Sequence, residues 1–438
     1  MNIGKQFLKY TIPSVVSMWV FSIYSMVDGM FVANGVSELA LAAVNISMPF
    51  VNMLFGIAMW LTVGTSTLVS IARGKGDEEE ANRIFSVSFY VLAIISIIVT
   101  ALSLFNMDSI AYFLGATEET VVYVKSYLRI ITLFSIFYIL SYCLEVLVKA
   151  DGFPILATVC MCLGAVTNIG LDYVFVFKFH MGIEGAAWAT GFSQVMSFVV
   201  FFHHFISKKS NLRFVKCKLD LSIYKTIIPL GLPDCIVEIS SGITVFIYNI
   251  VLIKLIGNDA VVTYTIISYI FNLVLMTMAG ISQGIQPLMS FYFGEGNTDN
   301  IKKLYKMGIF SSLISGIFSW TICRIFGKFI VGIFISAEYP EHIAFSINAL
   351  NIFSYAFLIM GINVVTLGFF TAVKKPKYSF IISSLRGFIL IPVGIAISVL
   401  IGGKQFVWFG VTVSECICAL FTVFLQIKYN KSKELAVK

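Results

Sequence analysis

Charge is what this chain of 438 residues has least of. Only 12% of its residues are Asp, Glu, Lys or Arg, about half of the roughly 25% found in soluble globular domains. So little polar surface cannot cover a folded body of this size in water. Histidine is scarce as well, and His180, His203, His204 and His342 lack metal-ligand spacing. The eight cysteines (Cys143, Cys160, Cys162, Cys217, Cys235, Cys323, Cys416 and Cys418) fall almost entirely within apolar runs and include no C-x-x-C pair. They read as small buried hydrophobes, not as a disulfide or zinc framework. There is no phosphate-cradling P-loop and no soluble enzyme motif, so the chain is not expected to be an enzyme or to hydrolyse a nucleotide. No cofactor is implied. The start "MNIGKQFLKYTIPSVV" has a basic flank but no small-residue cleavage site after its apolar run, so the first helix is expected to stay in place.

What the chain has is long hydrophobic runs. Hydrophobic residues make up 58% of it, with a mean hydropathy of +0.93. A membrane-spanning helix needs about 20 mostly apolar residues. About twelve such runs occur, near 11–33, 46–71, 84–105, 124–147, 155–178, 184–205, 226–256, 261–290, 307–326, 346–370, 379–401 and 406–427. They are apolar all round, whereas strands of a membrane barrel are short and alternate. The expected fold is therefore an all-α polytopic membrane protein with twelve transmembrane helices, and its surroundings are the lipid bilayer. Lys and Arg set the orientation. With a cytoplasmic N-terminus, 22 of them fall inside and seven outside, and Arg386 lies within a span. The net charge of +7 is then a topology signal, not a sign of a nucleic acid partner. Both termini are expected in the cytoplasm, with the chain spanning a membrane.

The chain contains itself twice. At a shift of 220 residues, "GTSTLVSIARGKGDEEEANRIF" (64–85) lies on "GIQPLMSFYFGEGNTDNIKKLY" (284–305), and Pro13 falls on Pro233. A shift of 222 places Pro154 on Pro376 and Thr190 on Thr412. This predicts a six-helix bundle over 1–206, a basic cytoplasmic linker over 207–225, and a second six-helix bundle with a short basic tail over 226–438. Six is even, so the copies enter the membrane from the same side. That makes them parallel repeats related by a pseudo-two-fold along the membrane normal. Such doubling suits alternating access and points to a transporter, with energy drawn from an ion gradient.

Six acidic residues fall inside the spans: Asp28, Glu145, Asp172, Asp234, Glu238 and Glu415. An ionisable group at the bilayer centre costs about 2.5–3.5 kcal/mol on insertion scales and is a functional candidate by default. Asp28, Asp172, Thr190 and Tyr127 all fall in the outer half of the first bundle. Asn168 is one helical turn below Asp172. Oxygen ligands of this kind suit a hard cation such as Na⁺, held by Asp28, Asn168, Asp172 and Thr190. Alternatively, two carboxylates in a low-dielectric site cannot both ionise easily, and the pair becomes a proton acceptor. The second half lacks both acids, with Tyr248 and Gly394 in their places. Asp234 and Glu238, four apart on the seventh helix, and Gln283 on the eighth are candidates for a substrate cleft that attracts cations. Glu145 is placed to reach Lys149, Glu415 is isolated in sequence, and Arg386 either neutralises an acid or caps a helix end. "KGDEEEANR" reads as a capped, solvated helix start.

With these residues in hand, the chain resembles the multidrug and toxic compound extrusion (MATE) transporters, in their short-loop bacterial branch. The resemblance is carried by "YSMVDGMFVANGVSELALAAVNISMPF", "GTSTLVSIARGKGDEEEANR", "KADGFPILATVCMCLGAVTNIGLDYVFVF", "GIEGAAWATGFSQ", "GLPDCIVEISSGITVFIYN" and "ISQGIQPLMSFYFGEGN", in that order across nearly the whole chain. It implies a monomeric antiporter that exports amphipathic, cationic drugs and other toxic small molecules in exchange for H⁺ or Na⁺, and so confers antibiotic resistance. It also implies an ion site at Asp28, Asn168, Asp172, Thr190 and Tyr127, and a first helix that bends at Pro13. Phe21 stands where some relatives carry a polar residue, and Glu238 falls a few positions early for another branch's glutamate. The alternative is a lipid-linked oligosaccharide flippase with similar bundles. Such a protein needs a basic cavity for pyrophosphate, whereas the spans here hold six acids against one arginine.

Overall fold

The structure is a computed structural model that describes residues 2–218, 220–336 and 338–431. Lys433 and Lys438, counted above among the cytoplasmic charges, lie outside the described residues, as does the end of the basic tail. The described residues are mostly helical and contain no β-strand. Twelve helices are long and apolar enough to cross a membrane. They are α1 (Ile3–Val32), α2 (Leu39–Gly74), α3 (Glu78–Phe105), α4 (Val121–Ala150), α5 (Pro154–Lys178), α6 (Gly182–Ile206), α7 (Leu221–Leu255), α8 (Asn258–Glu295), α9 (Thr298–Phe334), α10 (Pro340–Ala372), α11 (Pro376–Gly402) and α12 (Lys404–Lys431). In lipid, only a helix or a closed barrel satisfies every backbone N–H and C=O, and these apolar stretches take the helix.

The helices run longer than the hydropathy alone indicates. The run expected over 46–71 is a helix over Leu39–Gly74. Helical hydrogen bonding continues until a cap stops it, not until hydropathy falls. Gly76 and its repeat counterpart Gly296 stop α2 and α8 alike, at φ +77° and +78°, a left-handed turn that glycine adopts without strain. Asp77 then accepts from the N–H of Glu80 at 3.0 Å to cap α3, and its counterpart Asn297 accepts from Asn300 at 3.1 Å to cap α9.

The helices pack into two compact units. One comprises residues 16–231 and the other residues 1–15 with 232–438. The start of α1 thus packs in the second unit and the start of α7 in the first. The contacts that hold these exchanged arms are repeat counterparts. A Cβ on Gly64 of α2 would lie 2.3 Å from the Ile227 carbonyl oxygen of α7, and one on Gly284 of α8 would lie 2.9 Å from Cα of Thr11 on α1. Small residues let helix backbones approach closely where lipid leaves little hydrophobic drive between helices. Pro13 and Pro233 each lie within two residues of a unit boundary.

The segment expected as a linker, 207–225, is docked on the first unit. The fully buried carboxylate of Asp151, just past α4, accepts from the N–H of Asn211 at 3.0 Å and of Leu212 at 2.9 Å. It also accepts from Ser210 Oγ at 3.0 Å, and His204 Nε2 lies 2.8 Å away. Further on, Arg213 N–H donates to Asn82 Oδ1 and Val215 N–H to Ser86 Oγ. Hydrogen bonds from Ser222, and then the Arg83 guanidinium at 3.2 Å, hold the exposed Asp220 carboxyl below the usual carboxylate range. The first unit's core is built around Leu54, Phe85, Leu128, Leu144 and Phe205. The second has two clusters, one around Tyr248, Phe353 and Trp408 and the other around Ile285, Phe370 and Tyr429.

Candidate functional site

Four helices of the first unit bring the predicted pocket together. Asp28 lies four residues before the end of α1 and Asp172 six before the end of α5, while Tyr127 lies six after the start of α4 and Thr190 eight after the start of α6. Because successive helices alternate in direction, all four positions lie toward the same end of the first unit. Asp172 is fully buried, Asn168 is 1% exposed and Tyr127 is 4% exposed. The carboxyls of Asp28 and Asp172 face each other closely enough to interact directly, and both act electrostatically on Tyr127. Asn168 Nδ2 donates to Thr190 Oγ1 at 3.4 Å, a long bond. Asp28 Oδ1, both Asp172 oxygens and Asn168 Oδ1 are buried without a hydrogen-bond partner.

Such a set is out of balance. A buried carboxylate that neither pairs nor accepts hydrogen bonds is held at a cost of several kcal/mol. Two acceptor groups that face each other with no donor between them call for a proton or a cation. The donor set, all oxygen, fits a hard cation or a shared proton. The described residues contain no cluster of three or more His, Cys, Asp or Glu side chains suited to a bound metal. Directly after Asp172 the chain makes a π-helical turn, Tyr173–Lys178, a rare feature found often at functional sites.

The repeat shows why the described residues of the second unit form no twin of this pocket. Where the first half has Asp28, Tyr248 stacks on Tyr264 with ring centroids 4.7 Å apart. Where it has Asp172, a Cβ on Gly394 would meet Ser414 Oγ at 2.2 Å and the Gly410 carbonyl oxygen at 2.4 Å. No side chain fits there.

The other predicted residues are scattered. Pro13 lies within the continuous first helix, fifteen residues and about 22 Å along it from Asp28. Asp234 has one buried oxygen without a partner. Asp234 and Glu238 are one turn apart on α7, and no hydrogen bond or ion pair among the described residues joins either to Gln283 on α8. Glu145 does reach Lys149, in a buried pair at 2.9 Å.

The expectation that Glu415 stands alone is corrected. Its Oε1 accepts from Arg386 Nε at 2.7 Å and its Oε2 from Asn363 Nδ2 at 2.7 Å. The partners come from two other helices, and distance along the chain hid them. Arg386 is thereby seen to neutralise an acid, one of its two expected roles.

Sequence reasoning also passed over Tyr24, which acts electrostatically with Asp28 and Asp172. The signal was there, since Tyr24 is four residues before Asp28 and on the same helix face. Asp151 was missed because Asp-Gly after a helix reads as an ordinary turn.

The comparisons with known proteins agree among themselves. A family model described as MatE matches residues 13–174 and 233–396. The chain is 26% identical over 438 residues to the multidrug export protein MepA of Staphylococcus haemolyticus (strain JCSC1435), covering 100% of this chain and 95% of that protein. It is 24% identical over 428 residues to MepA of Staphylococcus saprophyticus, covering 97% and 93% respectively. It also superposes on a solved structure described as the outward-facing conformation of a multidrug resistance MATE family transporter of the MOP superfamily. That match has a TM-score of 0.93 at 22% identity, over 99% of this chain and 97% of the other.

Proposed function

The chain belongs to the MatE family, and from that premise we propose that it is a secondary multidrug antiporter. It exports amphipathic, cationic toxic compounds in exchange for H⁺ or Na⁺, works by alternating access as a monomer, and sits in the bacterial plasma membrane with both termini in the cytoplasm. The observation that carries the coupling is the pair of facing carboxyls, Asp28 and Asp172, whose buried oxygens have no partners. An ion entering from outside supplies what those oxygens lack. A proton joins the two carboxyls. A sodium ion engages Asp28 Oδ1, the Asp172 oxygens, Asn168 Oδ1 and Thr190 Oγ1, with the Tyr127 phenol beside it.

Either ion changes the charge of the pocket by one unit. The charge change acts on α1, which carries Asp28. Proline removes a helical hydrogen bond and weakens the helix locally, so α1 yields at Pro13. The acidic side chains of Asp234 and Glu238, with Gln283, attract the cationic end of the cargo. Only an ion that binds the two transport states with different affinity can drive the exchange. The test is efflux of a cationic dye from proteoliposomes with a proton gradient and a sodium gradient imposed separately. Efflux that follows one or both gradients is the expected result. Dye movement indifferent to both would overturn the antiport reading.

A further inference from the structure

The second unit holds a charged cluster that the ion pocket does not use. Glu415 on α12 is 2% exposed and Asn363 on α10 is fully buried. Asn363 Nδ2 bridges the Glu415 side chain at 2.7 Å and its backbone carbonyl at 3.0 Å, and Asn363 Oδ1 is buried with no partner. Arg386 on α11 gives only its Nε to Glu415. An arginine has five N–H donors, and the Nη1 and Nη2 groups of Arg386 make no hydrogen bond or ion pair among the described residues. The side chain is not fully buried, with 11% of it exposed. Arg386 lies ten residues from the start of α11 and Glu415 eleven from the start of α12. Each is therefore about 15 Å from its helix end, near the middle of a hydrocarbon core about 30 Å thick.

Packing alone does not call for these charges. At the 222-residue shift their counterparts are Ser141, Gly164 and Ser193. There the same two helices of the first bundle are bridged by Ser141 Oγ donating to Gln194 Oε1 at 2.7 Å. A buried ion pair is a weak way to gain stability. The backbone under Arg386 is also unusual, a π-helical turn over Leu385–Ile389. It is seated on α7, where a Cβ on Gly387 would lie 2.6 Å from Ser240 Oγ. A guanidinium fixed through Nε, with its terminal nitrogens unspent, presents the planar fork that takes a carboxylate through two parallel hydrogen bonds.

We propose that Arg386, positioned by Glu415 and Asn363, is a subsite for a carboxylate on the exported compound. The Arg386–Glu415 pair is neutral as a whole. It therefore accepts a carboxylate by directed hydrogen bonds without repelling a cation that lacks one. This rests on the export reading.

Rhodamine B carries a free carboxylate and its ethyl ester does not, and the two dyes are otherwise alike. Binding of each to the purified full chain is measured by fluorescence anisotropy, and efflux of each in proteoliposomes. The unaltered chain is expected to prefer the acid to the ester. Arg386→Gln lowers that preference at least tenfold, and Arg386→Lys, which keeps the charge but loses the fork, lowers it less. Because Arg386→Gln leaves Glu415 unpaired and risks misfolding, the double variant Arg386→Gln/Glu415→Gln carries the same measurement. An acid-to-ester preference unchanged in both the single and the double variant overturns the subsite. Failure of the unaltered chain to move either dye under any gradient overturns export instead, while the binding preference still decides the subsite.

Discussion

Asp172→Asn separates what the carboxyl holds up from what it couples. The side chain is fully buried and both its oxygens lack partners, so little in the fold offsets its burial. An ionisable group at the bilayer centre costs about 2.5–3.5 kcal/mol on insertion scales. An amide of the same shape removes most of that cost, and its N–H can donate to the partnerless Asp28 Oδ1. The expected change in stability is therefore a gain, bounded at about 3 kcal/mol. Thermal unfolding should show no fall in Tm and at most a rise of several degrees. Transport should respond in the opposite way. With one carboxyl gone the facing pair that shares a proton or flanks a cation no longer exists, and gradient-driven dye efflux should fall to the passive leak. The assay is paired: Tm of the purified variant in detergent, and efflux from proteoliposomes with imposed ion gradients. Asp28→Asn should behave in the same way. Efflux at the level of the unaltered chain in both variants refutes the coupling role. A drop of several degrees in Tm refutes the energetic reasoning and marks the carboxylate as a packing device.

Three further outcomes test the fold around the pocket. A Cβ on Gly231 would sit 1.6 Å from the Trp60 carbonyl oxygen, and backbone cannot step aside. Gly231→Ala should therefore cost more than about 2 kcal/mol or prevent folding, whereas Gly242→Ala, with nothing within 4 Å, should be neutral or gain up to about 1 kcal/mol; equal melting curves for the two would show that the α2–α7 approach is not tight. Glu145→Gln strands a buried Lys149 and should cost about 3–5 kcal/mol. Adding Lys149→Met should recover most of that loss, and a double variant no more stable than the single would speak against the pair. Asp151→Ala leaves the N–H groups of Asn211 and Leu212 unpaired, at about 1–3 kcal/mol each. Hydrogen exchange should speed up across 210–215, and unchanged protection there would mean that Asp151 does not anchor the segment.

What could be read from the sequence divides by physical cause. Helix positions were legible because lipid imposes length and hydropathy on every spanning segment. The repeat was legible because capping chemistry at Gly76 and Gly296 leaves the same residues behind. The pocket was legible as a matter of depth, since residue number fixes height along a helix, and Asp28, Asp172, Thr190 and Tyr127 were placed at one level. Lateral contacts were not legible. Height does not say which helix faces which, so Glu415 looked alone when its partners were 29 and 52 residues away. For the same reason the packing of residues 1–15 with 232–438 was invisible. Hydropathy marks where a helix runs, not what it packs on.

The asymmetry between the halves follows from that distinction. Duplication supplied two similar scaffolds, and each half then placed its charges where the other is closed or uncharged. Gly394 has no room for a side chain where Asp172 stands, while Gly164 and Ser193 leave the first half without the charges of Arg386 and Glu415. The two polar sites also differ in kind. Facing carboxyls without partners change net charge when an ion arrives, and a charge change in a low-dielectric setting is a large energetic signal. A satisfied, neutral arginine–glutamate pair gives no such signal, but it holds a donor fork still. On this reading the ion is sensed in the first half, and the second half contributes recognition of the cargo. A single ancestral bundle repeated without divergence would have bound the driving ion on both sides and would have lacked the arginine fork.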